Sequence, residues 1–203
     1  AKSIYFGAGN LNMRSKSTFN FTTEDLLEIQ KIANRHRIKT YLAVNTVIYD
    51  DDIKKVEEIL DAASFAGINA IIASDFAVIQ RARQRNLPVH CSTQLNISNI
   101  DAVRFFAQYA DVMVLARELS LEQTKNIISA IHKEKITGPS GKLVRIEIFA
   151  HGALCMAISG KCYLSLHLHD HSANRGECLQ VCRRKYLVTE REQGYQLEID
   201  NEY

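Results

Sequence analysis

One pattern recurs along the chain: a short β-branched or aromatic run, then a segment whose apolar residues follow helical spacing. The runs lie at residues 3–7, 39–45, 69–74, 88–93, 111–116 and 143–150, and each reads as a strand. After the first, Thr23, Glu24 and Asp25 open a helix whose apolar positions are Leu26, Leu27, Ile29, Ile32 and Ala33. Asp50, Asp51 and Asp52 cap the next helix, which runs through Val56, Ile59, Leu60 and Ala63. Further helices are predicted over 76–85, 100–109 and 121–133. Strands alternating with helices at these intervals require a parallel sheet with right-handed crossovers. Nearly continuous apolar strands suit a sheet covered on both faces. No GxGxxG follows the first strand, which removes the main support for a dinucleotide-binding domain.

Polar residues gather where the predicted strands end: Asn45, Ser74, Asp75, Ser92, Gln94, Asn96, Arg117, Glu118 and His151. Active sites of (β/α) barrels are built at that edge. The predicted fold is therefore α/β, a TIM-type (β/α) barrel that is incomplete, with about six of eight strands present. Residues 1–150 would form the barrel portion. Residues 151–203 would form a cysteine-rich segment packed on its edge, within the same domain. The chain opens on a strand and ends in a charged run over 198–203, so a fragment of a longer barrel protein is expected.

At 203 residues, one substantial core is the expectation. A hydrophobic content of 46% and a charged content of 24% are ordinary for a globular protein, and a net charge of +2 argues neither for nor against nucleic acid. No apolar run reaches membrane-spanning length and the N-terminus has no secretory pattern, so no membrane partner and a cytoplasmic location are expected.

Four of the five cysteines lie within 28 residues, as Cys155, Cys162, Cys178 and Cys182. In a reducing compartment, clustered thiols are more often metal ligands or redox centres than disulfides. The spacing lacks the tight CxxC knuckles of zinc fingers. Four thiolates suit either zinc or an iron–sulfur cluster, and loose spacing at a barrel's catalytic edge favours a cluster facing a pocket. The alternative is that some are ordinary buried cysteines. Cys91 lies inside a strand and reads as a small core residue.

The segment EIFAHGALC at 147–155, followed by SGKCYLS at 159–165, resembles the signature of the collagenase-like peptidase family, number thirty-two among peptidases of unknown catalytic type. LAVNT at 42–46, HCSTQ at 90–94, ARELS at 116–120 and NRGECLQVCR at 174–183 are similar to the family as well. The resemblance implies a barrel-type fold and a history of naming as proteases. It also implies a [4Fe–4S] cluster and oxygen-independent hydroxylation of a tRNA wobble uridine, an rRNA cytidine or a quinone ring. Carried over by position, Cys155, Cys162 and Cys178 are implied ligands; the fourth is Cys182 or a cysteine further downstream. Zinc is the expected substitute in an aerobically prepared sample. Prephenate is an implied co-substrate of the RNA-modifying branch, which Tyr186 and the run Arg183, Arg184, Lys185 resemble more than the quinone branch.

Hydrolysis of peptides needs a nucleophile with its base or a metal-bound water. The chain has neither HExxH nor GxSxG, and only His151 with Cys155 suggests a thiol–imidazole pair. Hydroxylation at a ring carbon calls for a redox cofactor. In that reading His151, Arg117 and Glu118 are the candidate catalytic residues, and Asn45, Gln94, Asn96 and Arg183 the candidate substrate contacts. Arg117 suits a carboxylate or phosphate through its planar fork. The bland alternative for each is a hydrogen bond or ion pair at the barrel edge, including an Arg117–Glu118 network. His167, His169 and His171 would share one side if extended, and could bind zinc or simply face solvent. The expected partner is RNA, most of all tRNA. The alternatives are a protein or peptide substrate for a collagenase-like peptidase, or a non-catalytic metal-stabilised module that binds RNA or protein. Exposed sheet edges would also admit a homo-oligomer.

Overall fold

The computed structural model describes residues 1–13, 15–16, 20–152 and 154–199. Six parallel strands form one sheet in the order β1-β2-β3-β4-β5-β6: Ser3–Gly7, Lys39–Val44, Ala70–Ala73, Val89–Cys91, Val112–Val114 and Arg145–Glu147. Five helices alternate with them: α1 Leu26–Arg35, α2 Ile53–Ala66, α3 Phe76–Gln84, α4 Ile100–Phe106 and α5 Leu121–Glu134. Sequential order with parallel pairing, such as Ser3 opposite Lys39 and Tyr41 opposite Ala70, gives an open half-barrel rather than a doubly wound sheet.

Alternation along the strands sends every second side chain to the helix layer. Leu42 and Val44 of β2, Ile71 and Ala73 of β3, Cys91 of β4 and Met113 of β5 meet Val56, Leu60, Ala63, Val78 and Ile79 there, all fully buried. Burying each of the larger ones contributes roughly 1.5–3 kcal/mol. Local signals fix where the helices start. The Asp75 carboxylate accepts the Ala77 N–H at the head of α3, the Asn99 amide oxygen accepts that of Ala102 at α4, and Ser120 forms a capping box with Gln123 at α5.

The structure departs from expectation in four places. The later strands are shorter than predicted, because their ends turn into the polar loops of the rim. The Asp50–Asp52 run is itself a 3₁₀ turn leading into α2. Cover of the sheet is fuller on the helix face than on the other: Tyr41, Ala43 and Ile72, on the other face, are half-buried, and Tyr5 and Arg145 on the edge strands are exposed. Finally, the cysteine-rich segment carries regular structure: a short helix α6, Leu164–His169, and an antiparallel hairpin of β7 Tyr186–Thr189 with β8 Gln196–Ile199. That helix corrects the expected histidine alignment. His167 and His169 are two residues apart on a helical turn, hence about 200° apart around its axis, and Asp170 ends it in a left-handed conformation. Residues 200–203 of the predicted charged tail lie outside the described residues. No helix among those described is long and apolar enough to cross a membrane.

Candidate functional site

The C-terminal ends of β2, β3 and β4 deliver side chains to a small polar pocket. A cavity of about 130 Å³ is lined by Asn45, Thr46, Ser74, Asp75, Gln94 and Asn174, with Met13, Val47 and Gly160 completing the wall. The Asn45 side chain is its centre. Its amide nitrogen donates to Ser92 Oγ (3.1 Å) and to Gln94 Oε1 (3.3 Å), and its Oδ1 accepts the Met13 N–H at 3.2 Å. Ser74 Oγ donates to the Asn45 carbonyl at 2.9 Å, while Ser92 Oγ also donates to Gln94 Oε1. Thr46 is buried, and its Oγ1 finds no hydrogen-bond partner among the described residues. Asp75 is committed to backbone N–H groups of Ala77 and Ile48. The pocket therefore presents amide and hydroxyl groups, which can donate and accept, around a single carboxylate.

The cysteine-rich segment closes over this rim and is tied to it by polar contacts. Asn174 bridges the two: its backbone carbonyl accepts the Val47 N–H at 3.1 Å and its Oδ1 accepts the Cys162 N–H at 3.0 Å. Arg175 reaches back to the barrel, donating to the Val47 carbonyl (2.8 Å) and pairing with the Asp52 carboxylate, its guanidinium 4.3 Å from the centre of the Tyr49 ring. This pairing is the main cause that holds the Asp52 carboxyl below its ordinary pKa. At Gly176 (φ +87°) an added Cβ would fall 2.3 Å from the Asn12 carbonyl oxygen, so only glycine fits that approach. A second attachment lies at Ser159, whose Oγ accepts from Arg117 Nη2 (2.5 Å) and whose carbonyl accepts from Asn96 Nδ2 (3.0 Å).

Of the residues singled out from sequence, Asn45 and Gln94 line the pocket. Asn96 and Arg117 stand beside it but point at Ser159. Glu118 is exposed and forms no pair with Arg117, whose partner is the serine instead. His151 and Cys155 are both exposed. Arg183 is exposed too, and donates to the Leu154 carbonyl at 2.6 Å. Cys91 is buried in the core, where burial pushes its thiol up to about 12.

Of the remaining cysteines, Cys155 and Cys178 are exposed, and Cys162 and Cys182 are half-buried. Cross-loop bonds stitch their neighbourhoods together: Arg183 to Leu154 beside Cys182 and Cys155, and the Leu179 N–H to Ser165 Oγ (3.2 Å) beside Cys178. As donors they suit zinc or an iron–sulfur cluster. Their arrangement does not: among the described residues no three His, Cys, Asp or Glu side chains stand close enough to hold one metal ion. The donor chemistry is present without the gathered site.

Sequence reading missed Thr46, Ser159, Asn174 and Arg175. All four lie inside stretches whose likeness to a family was visible, but the roles of Ser159, Asn174 and Arg175 depend on contacts across more than 40 residues of chain, such as Arg117 to Ser159. Gly160, beside Ser159, and Gly176, beside Arg175, offered local cues: glycines where the backbone needs positive φ (+74° and +87°).

Comparison with known proteins agrees with this architecture. Residues 1–203 match Peptidase family U32. A protein named "Collagenase" from Porphyromonas gingivalis (strain W83) is 56% identical over 203 residues, covering 100% of this chain and 49% of that protein. The "tRNA hydroxylation protein P1" of Bacillus subtilis (strain 168) is 34% identical over 189 residues, covering 92% of this chain and 42% of that protein. The chain thus spans about half the length of the curated relatives it matches. The solved structure of the U32 peptidase Mk0906 superposes with a TM-score of 0.53 at 13% identity, covering 76% of this chain and 87% of that one, and shares the fold. The chain belongs to peptidase family U32.

Proposed function

We propose that this chain is part of an RNA-hydroxylating U32 protein that acts on an unpaired nucleobase, in tRNA above all. The observation that carries the reading is Asn174, which lines the polar pocket and holds the backbone of Cys162 at 3.0 Å. An amide-lined pocket matches the donor and acceptor edges of a splayed-out base, which is how single-stranded RNA is read. The same contact sets a thiol-bearing loop beside that pocket. Hydroxylating a ring carbon needs a redox group that side chains do not supply. The proposed group is a [4Fe–4S] cluster on Cys155, Cys162, Cys178 and either Cys182 or a cysteine downstream. No three of these thiols stand close enough together in this structure, so the segment would have to close to hold it. The relative named for tRNA hydroxylation supports the choice of RNA.

Nucleoside mass spectrometry of tRNA and rRNA from a strain lacking the gene tests this directly. Loss of one hydroxylated uridine or cytidine is the expected result; an unchanged nucleoside profile rejects the reading. Anaerobically purified full-length protein should carry iron and sulfide.

The 56% identity to a protein named "Collagenase" favours a second reading, a peptidase. Cys155 would be its nucleophile and His151 its base, and these would need to approach each other. Cleavage of gelatin or a peptide library that Cys155→Ala abolishes would establish it.

A further inference from the structure

Two strand ends converge on one serine. The turn after β4 brings Asn96, and the end of β5 brings Arg117, to opposite polar atoms of Ser159. Ser159 is buried, although its neighbours Ile158 and Lys161 are exposed. The next residue, Gly160, lies so close to the rim that an added Cβ would sit 2.9 Å from both Cβ and Cγ of Gln94. The loop carrying Cys155 and Cys162 is therefore held against the barrel at Ser159 and Gly160, by three side chains of the rim.

The bonding also says what Arg117 is committed to. A guanidinium waiting for a carboxylate or phosphate keeps two parallel N–H groups free. Here Nη2 donates to a hydroxyl, and Nε is buried with no partner among the described residues. Asn96 is used in the same way: Nδ2 donates to the Ser159 carbonyl and to that of Gln94 (2.7 Å), while Oδ1 is buried without a partner among the described residues.

We propose that Arg117 and Asn96 form a two-point latch on Ser159 that sets where the Cys155–Cys162 loop lies over the polar pocket. Both are positioning residues acting through the loop. The importance of the loop's thiols rests on the function proposed above; the latch itself can be read without RNA, metal or turnover, so the two can fail separately.

Three cysteines of the same chain make the test internally controlled. Cys155 is exposed and reports intrinsic alkylation, Cys162 is half-buried and reports the loop, and Cys91 is buried and reports unfolding. The purified full chain, treated with chelator and kept anaerobic, is alkylated with iodoacetamide and followed by peptide mass spectrometry. Ser159→Ala and Arg117→Gln should each raise the Cys162-to-Cys155 rate ratio about tenfold, the scale for losing a hydrogen bond to a charged group. Tryptic cleavage after Lys161 should accelerate in parallel. Ser159→Thr keeps the hydroxyl and should behave like the wild type. Unchanged Cys162 labelling in Ser159→Ala with Cys91 still silent overturns the proposal, as does Ser159→Thr behaving like Ser159→Ala. If Arg117→Gln exposes Cys91, the two Ser159 variants decide, since they alter the loop and leave the barrel intact.

Discussion

The half-barrel and the thiol-bearing segment are held in place by different forces. In the barrel, Leu42, Leu60, Ile71, Ile79 and Met113 are fully buried and interlock across the sheet and its helices. In the segment after residue 150, Ser159, Ser165 and Asn174 are buried alongside Ala173 and Val181, and each of the three accepts or makes a bond that fixes a loop. Apolar packing is non-directional and tolerant of small shifts, whereas a handful of polar tethers fixes a register and fails one bond at a time. The barrel supplies rigidity; the segment's position is an adjustable quantity set by named contacts.

That contrast can be broken at its strongest point by Leu60→Ala. Removing a fully buried side chain should cost about 2–5 kcal/mol in denaturant unfolding. Leu154→Ala, at an exposed position in the segment, should stay within about 0.5 kcal/mol. Comparable losses at both positions would mean the segment has an apolar core of its own.

A second test uses His90, buried on β4 with its ring 4.5 Å from that of Tyr41. Burial lowers its pKa from 6.5 to about 4. Its folded pKa lies below the unfolded one, so the neutral ring favours the native state. Stability is full above pH 6.5 and lost progressively as the pH falls to 4. The loss is on the order of 3 kcal/mol. His90→Phe should lack that decline, as urea titrations of both proteins at pH 7 and pH 4 would show.

Gly176→Ala addresses the tethers. The new methyl meets the Asn12 carbonyl and Ser15 Oγ, and φ is +87°, so the segment should lift from the rim at a cost of about 1–3 kcal/mol. Faster proteolysis after residue 150, with the barrel's own unfolding midpoint nearly unchanged, is the expected signature.

The smallest effect belongs to Asp52→Asn, which weakens the pair with Arg175. A loss of about 1 kcal/mol is expected at neutral pH. The carboxyl is held below 3.8, so this contribution is present above that value and disappears as the pH falls through the native pKa. Wild type and variant should converge in strong acid.

The same division explains what could be read from the sequence. Strand–helix alternation and the polar residues at strand ends are local, and they indicated the parallel sheet and its polar rim. Asn45 and Gln94 were legible because a barrel's strand ends are known in advance to face the site. Ser159, Asn174 and Arg175 were not, because a tether exists only once both ends are placed, and the partners of Arg175 lie 123 to 128 residues away. The helix over Leu164–His169 was hidden by its brevity, since six residues give no reliable period.

Asn174 has a thermodynamic consequence. One residue grips the Val47 backbone with its carbonyl and the Cys162 backbone with its side chain. Reciprocity then applies: if filling the pocket alters the affinity of the thiols for a metal by some factor, loading the metal alters the pocket's affinity by the same factor. Under the proposed function, a single amide would then make occupancy of either place a report on the other.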